Sequence, residues 1–194
     1  ARGELIDALI NKYDQERLGI VGHGPEYSMY ESLIKGTGIH RFNGEKWYID
    51  EPNKDSGIYN VWKAIEKYCL SSTSTARPVS NLYNIIEKPP YGAKKGAIPV
   101  LFITVLLYHN EYVSVYFDGT YVPIFGAEQF DLLVKRPDLF AVKYFEISGL
   151  KAQIFKELED IVTTAVPNNK NIRNATVLSI VNPLIRFLRS LPQY

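Results

Sequence analysis

The sequence has a single cysteine among 194 residues, Cys69, so no disulfide can form within the chain. A lone thiol suits a reducing compartment, and a cytoplasmic location is the expectation. Histidine is also scarce. His23, His40 and His109 stand far apart, and no His or Cys pair has the spacing of metal ligands. No apolar run reaches the ~18 residues that a membrane span requires. The longest runs from Ala97 to Tyr108 and reads as a buried core element. The opening residues do not read as a secretory leader.

Catalytic signatures fail at identifiable positions. Gly19-Ile20-Val21-Gly22-His23-Gly24 has the outline of a phosphate loop, but Pro25-Glu26 stands where a Lys and a Ser or Thr are needed, and a helix precedes it in place of a strand. There is no Gly-x-Ser-x-Gly elbow. Cys69 falls on an apolar helix face, where a thiol behaves as a small hydrophobe, and nothing near it in sequence supplies a base. Glu157, Glu159 and Asp160 read as a solvated helix face. The expectation is therefore a chain that is not an enzyme, with no catalytic residue, metal or cofactor. A cleft lined by two or more of His23, His40, Glu45 and Asp50 would reopen the enzyme reading.

What the chain does have is ordinary core-forming material, with 46% hydrophobic and 13% aromatic residues. Its net charge is only +1, but the charge is unevenly spread. Residues 1–60 hold seven basic and ten acidic side chains, and 61–110 hold six and two. Residues 111–165 hold five and nine, and the last 29 hold four basic and no acidic ones. Alternating blocks of this kind mark faces that dock on each other or on a partner. The chain opens at Ala1 straight into an amphipathic pattern and closes at Tyr194 just after an apolar stretch, which leads us to expect a segment of a longer protein.

Apolar spacing predicts a helix over Leu5–Tyr13, a second from about Glu26 to Lys35, and a third from about Gly57 to Leu70 with Ile58, Val61, Trp62, Ile65 and Cys69 on one face. Between the second and third, alternation around Asn43-Gly44 predicts a hairpin closed by a type I′ turn. The polar stretch Ser71–Pro78 is the candidate boundary. A helix over about Ser80–Glu87 follows, stopped by Pro89-Pro90, then the apolar element Ile98–Tyr108 and a hairpin around Asp118-Gly119. The two hairpin turns lie 75 residues apart, and helix, turn, helix, hairpin is the order of a winged helix. Beyond these come a short helix Ala127–Arg136, an extended piece Ala141–Ile147, a helix Leu150–Val166 and a strongly apolar stretch Leu178–Leu191 interrupted at Pro183. The fold class expected is α+β, mostly helical with two β-hairpins: tandem winged-helix-like units over 1–70 and 79–147, then C-terminal helices over 148–194.

Winged-helix order raises nucleic-acid binding, but the helix that would read a groove needs outward Arg, Lys, Asn or Gln. Ile98–Tyr108 has none, and Glu26–Lys35 begins with an acid where phosphate would approach. Sequence-specific readout is not expected on these grounds. Nonspecific phosphate contact through Lys94, Lys95, Arg186 and Arg189, with Arg77, Lys88, Lys170 and Arg173 as further cations, stays as the alternative. The most distinctive local feature is the turn Pro89-Pro90-Tyr91-Gly92, in which two prolines and a glycine hold Tyr91 in a defined frame.

Around this turn the sequence resembles the region outside the nucleotide-binding domain of very large bacterial P-loop ATPases, including those of phage-defence (BREX-like) islands. The resemblance rests on Pro89-Pro90-Tyr91-Gly92, Ile98-Pro99-Val100-Leu101, Asp118-Gly119-Thr120-Tyr121-Val122-Pro123, Pro137 with Phe140, and the closing Pro183-Leu184-Ile185-Arg186-Phe187 with Leu191-Pro192. It spans residues 79–145 and the last fifteen or so. It implies an ATPase-associated context. The Walker motifs are absent, so it implies no nucleotide contact by this chain. The expected function is an interaction or regulatory module that contacts other domains of its parent protein, or a protein partner. The interaction residues would be Pro89, Pro90, Tyr91 and Gly92 together with the apolar Phe187 and Leu191, and no membrane contact is expected.

Overall fold

The computed structural model describes residues 1–110, 112–122 and 126–145, together with Val181 and Ile185. The helices expected after Leu150, and with them Arg186, Phe187, Arg189 and Leu191, lie outside the described residues; Val181 and Ile185 themselves are helical and half-buried.

Helix α1 (Arg2–Lys12) carries Leu5, Ile6 and Leu9 at helical spacing, and all three are fully buried. A tight turn, Glu16–Gly19, follows, and then helix α2 starts at Pro25, where the fixed proline φ suits the first helical position. α2 is α-helical to Met29 and widens into a π-helical turn over Tyr30–Lys35. The Gly36 amide closes that turn on the Glu31 carbonyl at 2.8 Å. A side chain at Gly36 would put its Cβ 2.7 Å from the same oxygen, so the widened turn depends on glycine there.

Strands β1 (His40–Phe42) and β2 (Trp47–Ile49) pair antiparallel with Phe42 opposite Trp47. The hairpin falls where it is expected, but its turn is not the type I′ turn on Asn43-Gly44. Only Gly44 has positive φ. The Asn43 carboxamide oxygen instead accepts the amides of Glu45 and Lys46 at 3.0 and 2.9 Å, which moves the reversal one residue along the chain.

Helix α3 (Tyr59–Leu70) leads through strand β3 (Arg77–Pro78) into helix α4 (Val79–Ile86). The Pro89-Pro90 bond is cis, and the turn closes through the Tyr91 and Gly92 amides on the Lys88 carbonyl and the Ala93 amide on Ile86. Helix α5 (Ile98–Tyr108) has every residue from Ile98 to Leu106 buried. Strands β4 (Val113–Phe117) and β5 (Thr120–Val122) form the second hairpin, and here Asp118 and Gly119 both take positive φ, as a type I′ turn requires. Helix α6 (Ala127–Lys135) is opened by the Gln129 side chain, which accepts the Gly126 amide. Strand β6 (Phe140–Tyr144) completes a four-stranded antiparallel sheet in the order β3-β6-β4-β5.

The architecture is α+β: six helices, a two-stranded hairpin and a four-stranded antiparallel sheet among the described residues. The extended piece expected near residue 141 becomes an inner strand, with Val142 facing Arg77 on one side and Val115 on the other. Ser71–Pro78 joins the sheet, since β3 lies at its edge and the Ser72 carbonyl accepts the Tyr144 amide at 3.0 Å. A single apolar core runs from Leu5 to Val142. α5 lies within it against α1 and α3, and the Trp62 indole N–H donates to Thr104 Oγ1 at 3.0 Å.

Candidate functional site

After α1 the chain must reverse within a few residues to bring α2 back alongside it. It does so with three successive left-handed residues, Arg17, Leu18 and Gly19, at φ of 55°, 55° and 63°. Left-handed backbone costs an L-residue roughly 1–2 kcal/mol. Burial offsets this at Leu18, which is fully enclosed and gains about 1.5–3 kcal/mol on that scale. At Arg17 the guanidinium donates to the Gly22 carbonyl at 2.9 Å and lies over the Tyr27 ring at 4.1 Å.

The reversal leaves a cleft of about 490 Å³ between one face of α1, the loop 18–21, the first turn of α2 and α6. Its apolar lining comes from Ala8, Leu18, Ile20, Val21 and Phe130. Val21 is 95% exposed, the most exposed of the large hydrophobic residues among those described. The polar lining comes from Glu4, Asp7, Glu26 and Asp131, against one cation, Lys12. Glu4 is met by the Ala1 amine at 2.7 Å, and Asp7 accepts a hydrogen bond from Asn11 at 2.8 Å. Asp7, Glu26 and Asp131 form no ion pair among the described residues. An apolar floor under unmatched carboxylates can hold a ligand that is itself both apolar and cationic.

The charged cluster where α3 meets the end of α5 is differently made. Lys63 Nζ bridges Glu66 at 2.5 Å and Glu51 at 3.1 Å, and His109 Nε2 lies 2.8 Å from the other Glu66 oxygen. Burial works against the Lys63 charge, but its hydrogen bonds to Glu66 and Glu51 outweigh burial and hold its pKa above the ordinary lysine range. Here each charge is already matched, and the cluster ties α3 to the chain after β2 and to the end of α5.

Of the residues singled out from sequence, Pro89, Pro90, Gly92, Lys94 and Lys95 are exposed on one turn, and Tyr91 packs on the core. Lys95 stands 3.7 Å from Glu87. Phe187, Leu191, Arg186 and Arg189 lie outside the described residues, as do Glu157, Glu159 and Asp160. His40 is buried, with Nδ1 3.0 Å from the Tyr30 hydroxyl and Nε2 2.8 Å from the Tyr13 carbonyl. His23 packs edge-on against Tyr27. Burial pushes the Cys69 thiol up to about 12. None of His23, His40, Glu45 and Asp50 lines the cleft. Among the described residues no group of three or more His, Cys, Asp or Glu is placed to hold a metal ion, and no helix is long and apolar enough to cross a membrane. Apart from Gly19, Ile20 and Val21, which belong to the rejected phosphate-loop outline, the cleft residues belong to no motif in the sequence. The one signal pointing to them was the acidic excess of residues 1–60.

No family model matches the chain, and no curated protein or solved structure matches it either.

Proposed function

We propose that this chain is a non-catalytic interaction or regulatory module of a larger, ATPase-like protein, making interdomain or protein–protein contact. The observation that carries the reading is the cleft, whose apolar lining ends in Val21 at 95% exposure. A concave surface with an apolar lining and a few carboxylates around it is the default form of a binding site, and Val21 is the part of that lining open to a partner. The parent context rests on the resemblance around Pro89–Gly92 alone.

The experiment is panning of the immobilised chain against a displayed library of random dodecapeptides. A module of this kind enriches a consensus whose binding is lost in Val21→Asp. Enrichment of no consensus, or of one indifferent to Val21→Asp, overturns the assignment of this cleft.

A second reading, nonspecific nucleic-acid binding, is supported by Lys88, Lys94 and Lys95, which stand exposed along a single turn. The burial of α5 leaves phosphate contact as its only mode. It predicts binding to a DNA duplex at ~50 mM salt that weakens in a Lys88→Ala, Lys94→Ala, Lys95→Ala variant, since phosphate-driven affinity is strongest at low salt. Absence of binding there removes it.

A further inference from the structure

We infer that the cleft between α1, the loop 18–21 and α6 takes a basic, apolar-anchored segment of a partner protein; this rests on the interaction reading above. The charges lining the cleft decide the sign. Four carboxylates and one lysine line the cleft; Glu4 is met by the Ala1 amine, and Asp7, Glu26 and Asp131 form no ion pair among the described residues. Their spread decides the kind of ligand. Glu4 and Asp7 are three positions apart on α1, a rise of about 4.5 Å, while Glu26 and Asp131 come from two other elements. Carboxylates distributed over three elements match cations distributed along a chain better than one compact ion. The apolar lining of Ala8, Ile20, Val21 and Phe130 lies among those carboxylates, so the matching segment carries an aliphatic or aromatic side chain between its lysines or arginines. An acidic partner would meet repulsion from three elements at once, which gives the cleft its selectivity.

The test uses the full 194-residue chain and three fluorescent twelve-residue peptides with the same Leu positions. The positions between are Lys/Arg in the first peptide, Gln in the second and Glu in the third. Anisotropy is expected to rank basic above neutral above acidic, with the basic peptide weakening several-fold from ~50 to ~300 mM salt as screening shortens the reach of exposed charges. Asp7→Asn, Glu26→Gln and Asp131→Asn together should weaken the basic peptide roughly tenfold or more. Glu45→Gln with Asp55→Asn, exposed acids outside the cleft, should leave it unchanged. If all three peptides bind alike and Val21→Asp abolishes them, the basic partner is wrong and the interaction reading stands. If none binds, the inference fails, and the library panning decides the broader reading. Concentration-dependent dimerisation of the chain in sedimentation, lost in the triple variant, would assign the cleft to a second copy and also overturn the partner assignment.

Discussion

His40 is enclosed on every side: the Tyr30 hydroxyl bonds one ring nitrogen, the Tyr13 carbonyl takes the other, and the Trp47 ring stacks on its face at 4.8 Å. Both nitrogens are satisfied with the ring neutral, Nε2–H donating to the carbonyl and Nδ1 accepting from the tyrosine. Burial lowers its pKa below the usual 6.5, only partly opposed by the bond to Tyr13. The unfolded chain therefore takes up this proton first, so the stability tied to neutral His40 is present above pH 6.5 and is lost as pH falls below it. We expect the melting temperature to fall between pH 7 and pH 5, and the His40→Gln variant, less stable at pH 7.5, to show a shallower fall over the same range. Thr104 gives a second expectation at this scale. It accepts from the Trp62 indole and donates to the Leu101 carbonyl at 2.8 Å. Thr104→Val keeps the shape but strands a buried N–H, and should cost about 1–3 kcal/mol by urea denaturation, against almost no loss if that bond carries nothing. Neither arrangement can be read from sequence, because Tyr13 lies 27 positions from His40 and Thr104 lies 42 from Trp62.

At the scale of elements, legibility follows how local the deciding interactions are. α5 matches its expected limits because an uninterrupted apolar run has one use in water, and Gly96 and His109 bracket it. Asp118-Gly119 makes its turn because both residues tolerate left-handed backbone. Asn43-Gly44 has the same dipeptide logic and takes another turn, since the Asn43 side chain caps two amides that the backbone would otherwise have bonded. The π-helical turn of α2 could not be anticipated, because its cause is a contact between backbone atoms five residues apart. It carries its own prediction. Gly36→Ala forces the Cβ onto the Glu31 carbonyl oxygen, so the turn must tighten or shift, although alanine is the better helix former by about 1 kcal/mol. A net loss of stability, with amide shifts confined to residues 30–39 in the NMR spectrum, is the expected outcome; a stabilised protein would show that the wide turn is not held by glycine.

For the whole molecule, the fact that organises the rest is that α1 packs on α5 and α6 though more than 80 positions separate their sequences. The cleft is a product of that meeting, which is why no stretch of sequence announced it beyond a surplus of acids. Because the core is continuous from Leu5 to Val142, α1 and α5 should lose amide protection together on native-state hydrogen exchange. Two separate opening free energies for these helices would mean that the halves are independent. The sealed thiol of Cys69 supplies a convenient meter for the same event. Enclosed at 0% exposure and resistant to ionisation, it should ignore alkylating reagents while the fold is closed. Each molecule trapped by iodoacetamide thus marks one excursion of α3 out of its surroundings. A chain with a single cysteine, placed there, carries a built-in recorder of how often it breathes.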